Sequence, residues 1–312
     1  MDAQRRDDDH ADAESAVVLY VAMASNIAIA IAKFIGAAFT GSAAMLSEGI
    51  HSAVDTGNGW LLLLGKRLSR QPADERHPFG HGQELYFWSL IVAVLIFGVG
   101  GGVSAYEGLL HVMHPPPLES ATWNYWILGC AALFEGSSLV VALRKFWRDK
   151  GPLSFWSALR KSKDPAVYTV IAEDSAALLG VAIAALGIFA SHQWNMPRLD
   201  GVASVVIGVL LAMVACFLIY QCRRLLVGEA VDAEMAAEIR QIATDEHMVM
   251  RTAWPLTMHF GPSEVLLALD AQFNTGTSEH DIQKAVIRIE QRIRERFPEV
   301  RRIYIETRRV GS

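Results

Sequence analysis

Six runs of apolar residues divide the chain, at 16–39, 42–64, 85–110, 123–143, 166–190 and 202–220. Each is close to the roughly 20 residues that a helix needs to cross the hydrocarbon core of a bilayer. After Gly228 the pattern changes. Residues 232–246 repeat with helical period, EVLLALDAQF (264–273) reads as a strand, and TSEHDIQKAVIRIEQRIRERF reads as a long helix capped by Thr277 or Ser278. RIYIET (302–307) alternates as a final strand. The predicted order of helix, one or two strands, helix and strand is that of a small α+β domain with a short sheet. A domain of that size holds a modest core and gains from pairing with a second copy. The pattern thus predicts an acidic disordered tail over 1–14, a six-span all-α membrane bundle over 15–225, and an α+β dimerisation domain over 226–312.

The loops orient the spans. Lys66, Arg67, Arg70 and Arg76 follow the second run, and Arg144, Lys145, Arg148, Lys150, Arg160, Lys161 and Lys163 follow the fourth. Arg223 and Arg224 follow the sixth, whereas HPPPLESATW on the other side has no Lys or Arg and SHQWNMPR has one. Basic loops stay in the cytoplasm, so both termini and the α+β domain are predicted to be cytoplasmic.

Composition agrees with this division. The 312 residues are 52% hydrophobic, yet charge gathers at the N-terminus, in two loops and in the tail. A formal charge of −5, without a basic stripe or patch, argues against nucleic acid as a partner. The cysteines, Cys130, Cys216 and Cys222, form no CxxC, so no disulfide framework or thiolate zinc cluster is indicated. The acidic start resembles neither a signal nor a transit peptide, and the simplest setting is a bacterial inner membrane.

One stretch breaks the apolar pattern. LSEGIHSAVDTGNG (46–59) sets Glu48, His51, Asp55 and Asn58 along a helix otherwise built of Ala, Val, Ile and Leu. His51 and Asp55, four apart, share a face, which Asn58 continues and Glu48 borders. The fifth run adds Glu173 and Asp174. A charge near the bilayer centre costs roughly 2.5–3.5 kcal/mol on insertion scales, so such residues mark function. Lone polar residues such as Asn26 and Glu107 are explained by hydrogen bonds between helices, a reading that is open to Asn58 as well. Imidazole and carboxylate together suit Zn2+, Co2+, Fe2+ or Mn2+, and the absence of Cys and Met from the stripe argues against copper(I). The same groups take up protons when a metal leaves, so a buried His–Asp site can exchange one for the other.

Taken together, TGSAAMLSEGIHSAVDTGN, QPADERHPFGHG, YEGLLHVMHP, EDSAALLG and LDGVASVVIGVLL, in this order and before an α+β tail, resemble the cation diffusion facilitator family. The motif forms are similar to those of the branch containing the mitochondrial zinc exporter of animals. The resemblance implies a homodimeric six-helix transporter with a cytoplasmic ferredoxin-like α+β domain, joined through both domains and embedded in lipid. It implies transport ligands at His51, Asp55 and Asp174. The position four before Asp174, a ligand elsewhere in the family, is Val170 here, so the fourth ligand must come from Glu173, Asn58, a water or Glu135. In the loop the resemblance implies a second metal on Asp74, His77 and His81, and the PFG turn can itself fold the two rings toward Asp74. In the tail, where the family bridges two zinc ions with histidines, only His259 and His280 remain. Gln283 and Glu306 stand at the usual places, leaving His280 and Glu306 as candidates and packing along the long helix as the expected dimer contact.

The function expected is efflux of a divalent transition metal, Zn2+ first, in exchange for H+. Co2+, Ni2+, Fe2+ and Mn2+ are the rivals, although the imidazole disfavours the hard ion Mn2+. An intramembrane metalloenzyme that activates water is the reading from another class, against which stands the lack of HExxH or an equivalent motif. A metal sensor or scaffold acting through the tail is the third, and the tail's poor ligand set argues against it.

Overall fold

The computed structural model of the chain describes residues 26–115, 122–149, 154–155, 158, 165–262 and 264–309. The expected acidic tail and the start of the first apolar run lie outside these residues. Two compact units emerge among the described residues: those within 1–64, 88–156 and 166–220 form one, and those within 65–87, 157–165 and 221–312 form the other.

The first unit is helical. The described part of the first apolar run is α1, Asn26–Thr40, followed by α2, Ala43–Ser69. Then come α3, Glu84–Met113, and α4, Thr122–Asp149. The last two are α5, Pro165–Gln193, and α6, Arg198–Val227. The ends of α2 and α6, and the starts of α3 and α5, run into the second unit. Among the described residues, α3, α4, α5 and α6 each contain a stretch long and apolar enough to cross a membrane. The 27 residues of α2 reach about 40 Å at 1.5 Å per residue, also enough for a bilayer. Its polar stripe is what separates it from those four.

Small residues let the helices of the bundle touch backbone to backbone. A Cβ on Gly108 of α3 would lie 2.6 Å from the Val205 nitrogen and 2.7 Å from the Gly201 carbonyl of α6. One on Gly208 would lie 2.8 Å from the Gly101 carbonyl. Of the GVGGG run, Gly101 serves this contact and Gly100 meets Leu211, while Gly98 faces open space. The same run winds as a π-helical stretch, Ile96–Val103, within α3.

Polar ties add direction. Asp200 at the start of α6 caps α2, accepting the Ser42 hydroxyl at 2.7 Å and the Ala43 amide at 2.5 Å. That carboxylate satisfies donors that a helix start leaves open. Ser47 of α2 and Ser204 of α6 lie 2.5 Å apart, and Ser204 donates to the Ser104 carbonyl of α3. Thr40 and Asn124 join α1 to α4.

In the second unit α7, Ala233–Thr244, and α8, Glu279–Arg296, pack on a sheet. Its strands are β1, Val249–Thr252, β2, Leu256–Gly261, β3, Glu264–Phe273, and β4, Val300–Arg309. β2 and β1 pair antiparallel with successive halves of β3, and β4 runs parallel along its whole length. Alternate residues of β3, from Val265 to Phe273, meet Ile239 of α7 and Ile289 and Ile293 of α8 in one core. Ser278 is the cap of α8, its hydroxyl accepting the Asp281 amide at 3.2 Å. The α+β class expected for the tail is therefore present, with three strands rather than one or two ahead of α8.

Candidate metal centres

The stripe on α2 is buried as a unit: Glu48, His51 and Asn58 are all shielded from solvent, and Asp55 is nearly so. His51 Nδ1 stands 3.4 Å from Asp55 Oδ1. Neither ring nitrogen of His51 nor Asp55 Oδ1 has a hydrogen-bond partner among the described residues. Leaving a buried donor or acceptor unpaired costs about 1–3 kcal/mol. Three such atoms side by side, on imidazole and carboxylate, have the donor chemistry of a transition-metal site.

The fifth helix presents its two acids differently. Glu173, buried, accepts the Asn58 side-chain amide at 2.8 Å, and half-buried Asp174 accepts the Ser138 hydroxyl of α4 at 2.8 Å. The structure thus brings Asn58 and Glu173 together, as a pair already joined to each other. Val170 is half-buried on α5, one turn before Asp174, and Glu135 is half-buried on α4. Among the described residues His51, Asp55 and Asp174 do not form a group whose ligand atoms all lie within 4.8 Å.

A residue absent from the sequence-based expectation closes the other end of the stripe. Lys33 of α1 is fully buried, and its ammonium donates to Glu48 Oε2 at 3.0 Å and to Ser52 Oγ at 2.7 Å. The second carboxylate oxygen of Glu48 packs on the Cα of Gly180 in α5, where no side chain would fit. Glu48 is therefore the anchor of an ion pair joining α1, α2 and α5. The available signal was the lone Lys in the apolar run NIAIAIAKFIGAAF.

Asp74, His77 and His81 do converge. Their ligand atoms lie within 4.8 Å of one another, the one group of three or more metal-ligating side chains among the described residues to do so. Asp74 Oδ1 accepts the backbone amides of His77 at 2.6 Å and Arg76 at 2.8 Å, which winds the loop around its carboxylate. His77 Nδ1 and His81 Nε2 each lie 3.2 Å from an Asp74 oxygen, and the two ring centroids are 4.2 Å apart. Gly80 between them takes φ +90°, a left-handed turn that glycine adopts freely. The His77 amide, ahead of the His81 ring and the Arg76 amide, holds the Asp74 carboxyl below the usual Asp range. Asp74 and His77 are half open to solvent, so an ion can reach them.

In the tail, His280 is exposed in the first turn of α8, and Glu306 is exposed on β4 opposite Asp270. Neither joins a group of three ligands among the described residues. Gln283 is exposed on α8, and His259 is buried on β2.

Comparison with known proteins supplies independent information. A family profile described as the cation efflux transmembrane domain matches residues 19–227. The chain is 39% identical over 235 residues to the human protein named "Proton-coupled zinc antiporter SLC30A9, mitochondrial", covering 74% of this chain and 41% of that protein. It is 32% identical over 234 residues to "Metal tolerance protein C4" of Arabidopsis thaliana, covering 74% of this chain and 51% of that one. Along 92% of its length it is 23% identical to the magnetosome protein MamB of Magnetospirillum gryphiswaldense, matching 91% of that protein. The chain thus spans about half or less of the length of the human and plant relatives.

Proposed function

The chain belongs to the cation efflux family, and from that premise we propose that it exports a divalent transition metal, Zn2+ first, in exchange for protons by alternating access. The human relative is named a proton-coupled zinc antiporter. The family is one of transporters, and the intramembrane metalloenzyme drops out.

The observation that carries the reading is the buried His51–Asp55 pair, with both ring nitrogens unpartnered. In a helix of the bundle such a pair is costly when empty and is satisfied by a cation. His51, Asp55 and Asp174 take the ion from the cytoplasmic side. Protons then compete for the same oxygens and nitrogen, because a ligand atom holds either a metal or a proton. Movement of α5 against α2 closes the set around the cargo. Glu173, freed from Asn58 or together with it, supplies the place that Val170 leaves empty. The imidazole favours Zn2+, Co2+, Ni2+ or Fe2+ over Mn2+.

The setting proposed is a bacterial inner membrane with the basic loops and both termini cytoplasmic, and a homodimer joined through the membrane bundle and the tail. The test is uptake of Zn2+ by proteoliposomes under a proton gradient. Asp55→Ala and Asp174→Ala each abolish uptake while the protein still purifies as a folded dimer. Full uptake by either variant would overturn the assignment of these ligands.

A further inference from the structure

The loop centre offers three ligands, whereas an ion of the zinc type in a closed site takes four. We propose that Glu264, the first residue of β3, supplies the fourth ligand, so that an ion held by the loop also ties it to the sheet of the tail. The inference rests on the reading of Asp74, His77 and His81 as a metal site. It adds to that site a residue from a distant part of the chain.

Glu264 stands against the loop. Its Oε2 lies beside Gly80 and Gly82, 3.9 Å and 3.4 Å from the Cβ positions those residues lack, in van der Waals range of the loop. These two glycines bracket His81, whose Nε2 faces Asp74 Oδ2. Glu264 is half-buried, and among the described residues its carboxylate has no hydrogen bond or ion pair. A carboxylate that has lost part of its hydration without gaining a partner is poised to take a cation.

The loop is held at this place by contacts that do not involve an ion. Gly82 lies so close to the Phe260 carbonyl of β2 that a Cβ there has no room. Phe79 stacks on Phe260 with ring centroids 5.2 Å apart, and the Arg302 guanidinium of β4 sits 5.2 Å above the Phe79 ring. Glu264, at the start of β3, is therefore presented to the loop beside Phe260 of β2. It lies outside the 4.8 Å group of the three loop ligands, and a rotamer change of its long side chain joins it to their ion.

The loop pattern alone does not contain this fourth ligand. Glu264 and Asp270 lie on the face of β3 opposite its apolar core residues, so in sequence Glu264 reads as an ordinary strand end.

The test uses the full-length protein in detergent, with Co2+ as a spectroscopic probe. The loop signal is defined as the part of the visible Co2+ absorption that Asp74→Ala removes. In the parent this part is expected to have the intensity of a four-coordinate site. Glu264→Gln, which keeps the shape, should weaken Co2+ binding at the loop about ten- to a hundredfold, as losses of supporting ligands do, and lower that intensity. Glu264→His, which offers an imidazole instead, should recover much of the affinity. If Glu264→Gln titrates like the parent with the same spectrum, Glu264 is no ligand and the inference fails while the loop site stands. If Asp74→Ala removes nothing, the loop reading itself fails and the inference goes with it.

Discussion

Replacing Lys33 by methionine tests how the bundle tolerates the charges buried beside its stripe. The ammonium makes two contacts, at 3.0 Å to Glu48 Oε2 and at 2.7 Å to Ser52 Oγ, and both side chains of the ion pair are fully shielded. The second oxygen of Glu48 already has no hydrogen-bond partner among the described residues. Lys33→Met would leave that carboxylate buried with nothing to balance it. Breaking a buried pair from one side costs about 3–5 kcal/mol. At about 1.5–2 °C per kcal/mol for a chain of this size, the apparent melting temperature should fall by roughly 5–10 °C. Glu48→Met should cost a similar amount, by stranding the ammonium instead. The double variant, Lys33→Met with Glu48→Met, should recover most of the loss, because apolar residues of similar length often replace a buried pair without penalty. The assay is thermal unfolding of all four proteins in one detergent, read as a double-mutant cycle. Additive losses, with the double variant as unstable as the two singles summed, would refute the pairing. So would a Lys33→Met protein that melts with the parent.

Two further outcomes follow from other parts of the molecule. Gly108→Val would drive a side chain into the backbone of α6 at Val205 and Gly201, and the helices must part at a cost of about 1–3 kcal/mol. A lowered melting temperature is expected, and Gly98→Val, which faces open space, is the matched control that should change little. In the loop, the His77 amide keeps the Asp74 carboxyl below its ordinary value of 3.8. A depressed carboxyl stabilises the loop above that value and loses its effect as pH falls through the folded one. The Arg76 and His77 amides should therefore stay protected from hydrogen exchange at pH 5 and above, and open only below pH 3.8. Loss of their protection between pH 7 and 5 would contradict the role given to Asp74.

Much of the fold was legible because the apolar runs are long and continuous. Each of α3 to α6 contains its expected span and extends it by a few residues, while α2 starts just inside its own and runs past its end, since apolar run length records what must be buried and not where the helix turns end. The cap and core pattern of α8 were legible for the same local reason, through Ser278 and the spacing of Ala285, Ile289 and Ile293. What was missed depends on distant partners. β1 and β2 are short, separated by Ala253, Trp254 and Pro255, and become strands only by pairing with β3. Asp200 follows a loop in sequence, and only the fold brings it to the start of α2, 157 residues away in sequence from Ala43. The stripe itself was legible residue by residue, since its spacing is local. Lys33 was not, because a lysine in an apolar run shows its meaning only when Glu48 stands beside it.

Two sets of buried polar groups in the bundle differ in a way that bears on where cargo sits. Asp200, Ser47, Ser204, Asn124 and the Lys33–Glu48 pair have found partners on other helices, and each of these contacts holds one helix against the next. His51 and Asp55 sit 3.4 Å apart on one helix, with both ring nitrogens and one carboxylate oxygen unsatisfied. Packing accounts for the first kind and leaves the second as a standing cost. Selection for stability alone would remove that cost by an apolar substitution, as hydrophobic replacement of buried polar groups commonly does. A carrier must do otherwise, because a site fully satisfied by its own protein has no affinity left for an ion. The first residues to mutate for transport are therefore His51 and Asp55, with Asp174 as the proposed third ligand. The Lys33–Glu48 pair should report on stability, and a Lys33 variant that melts early yet carries metal at the parent's rate per folded molecule would separate the two roles.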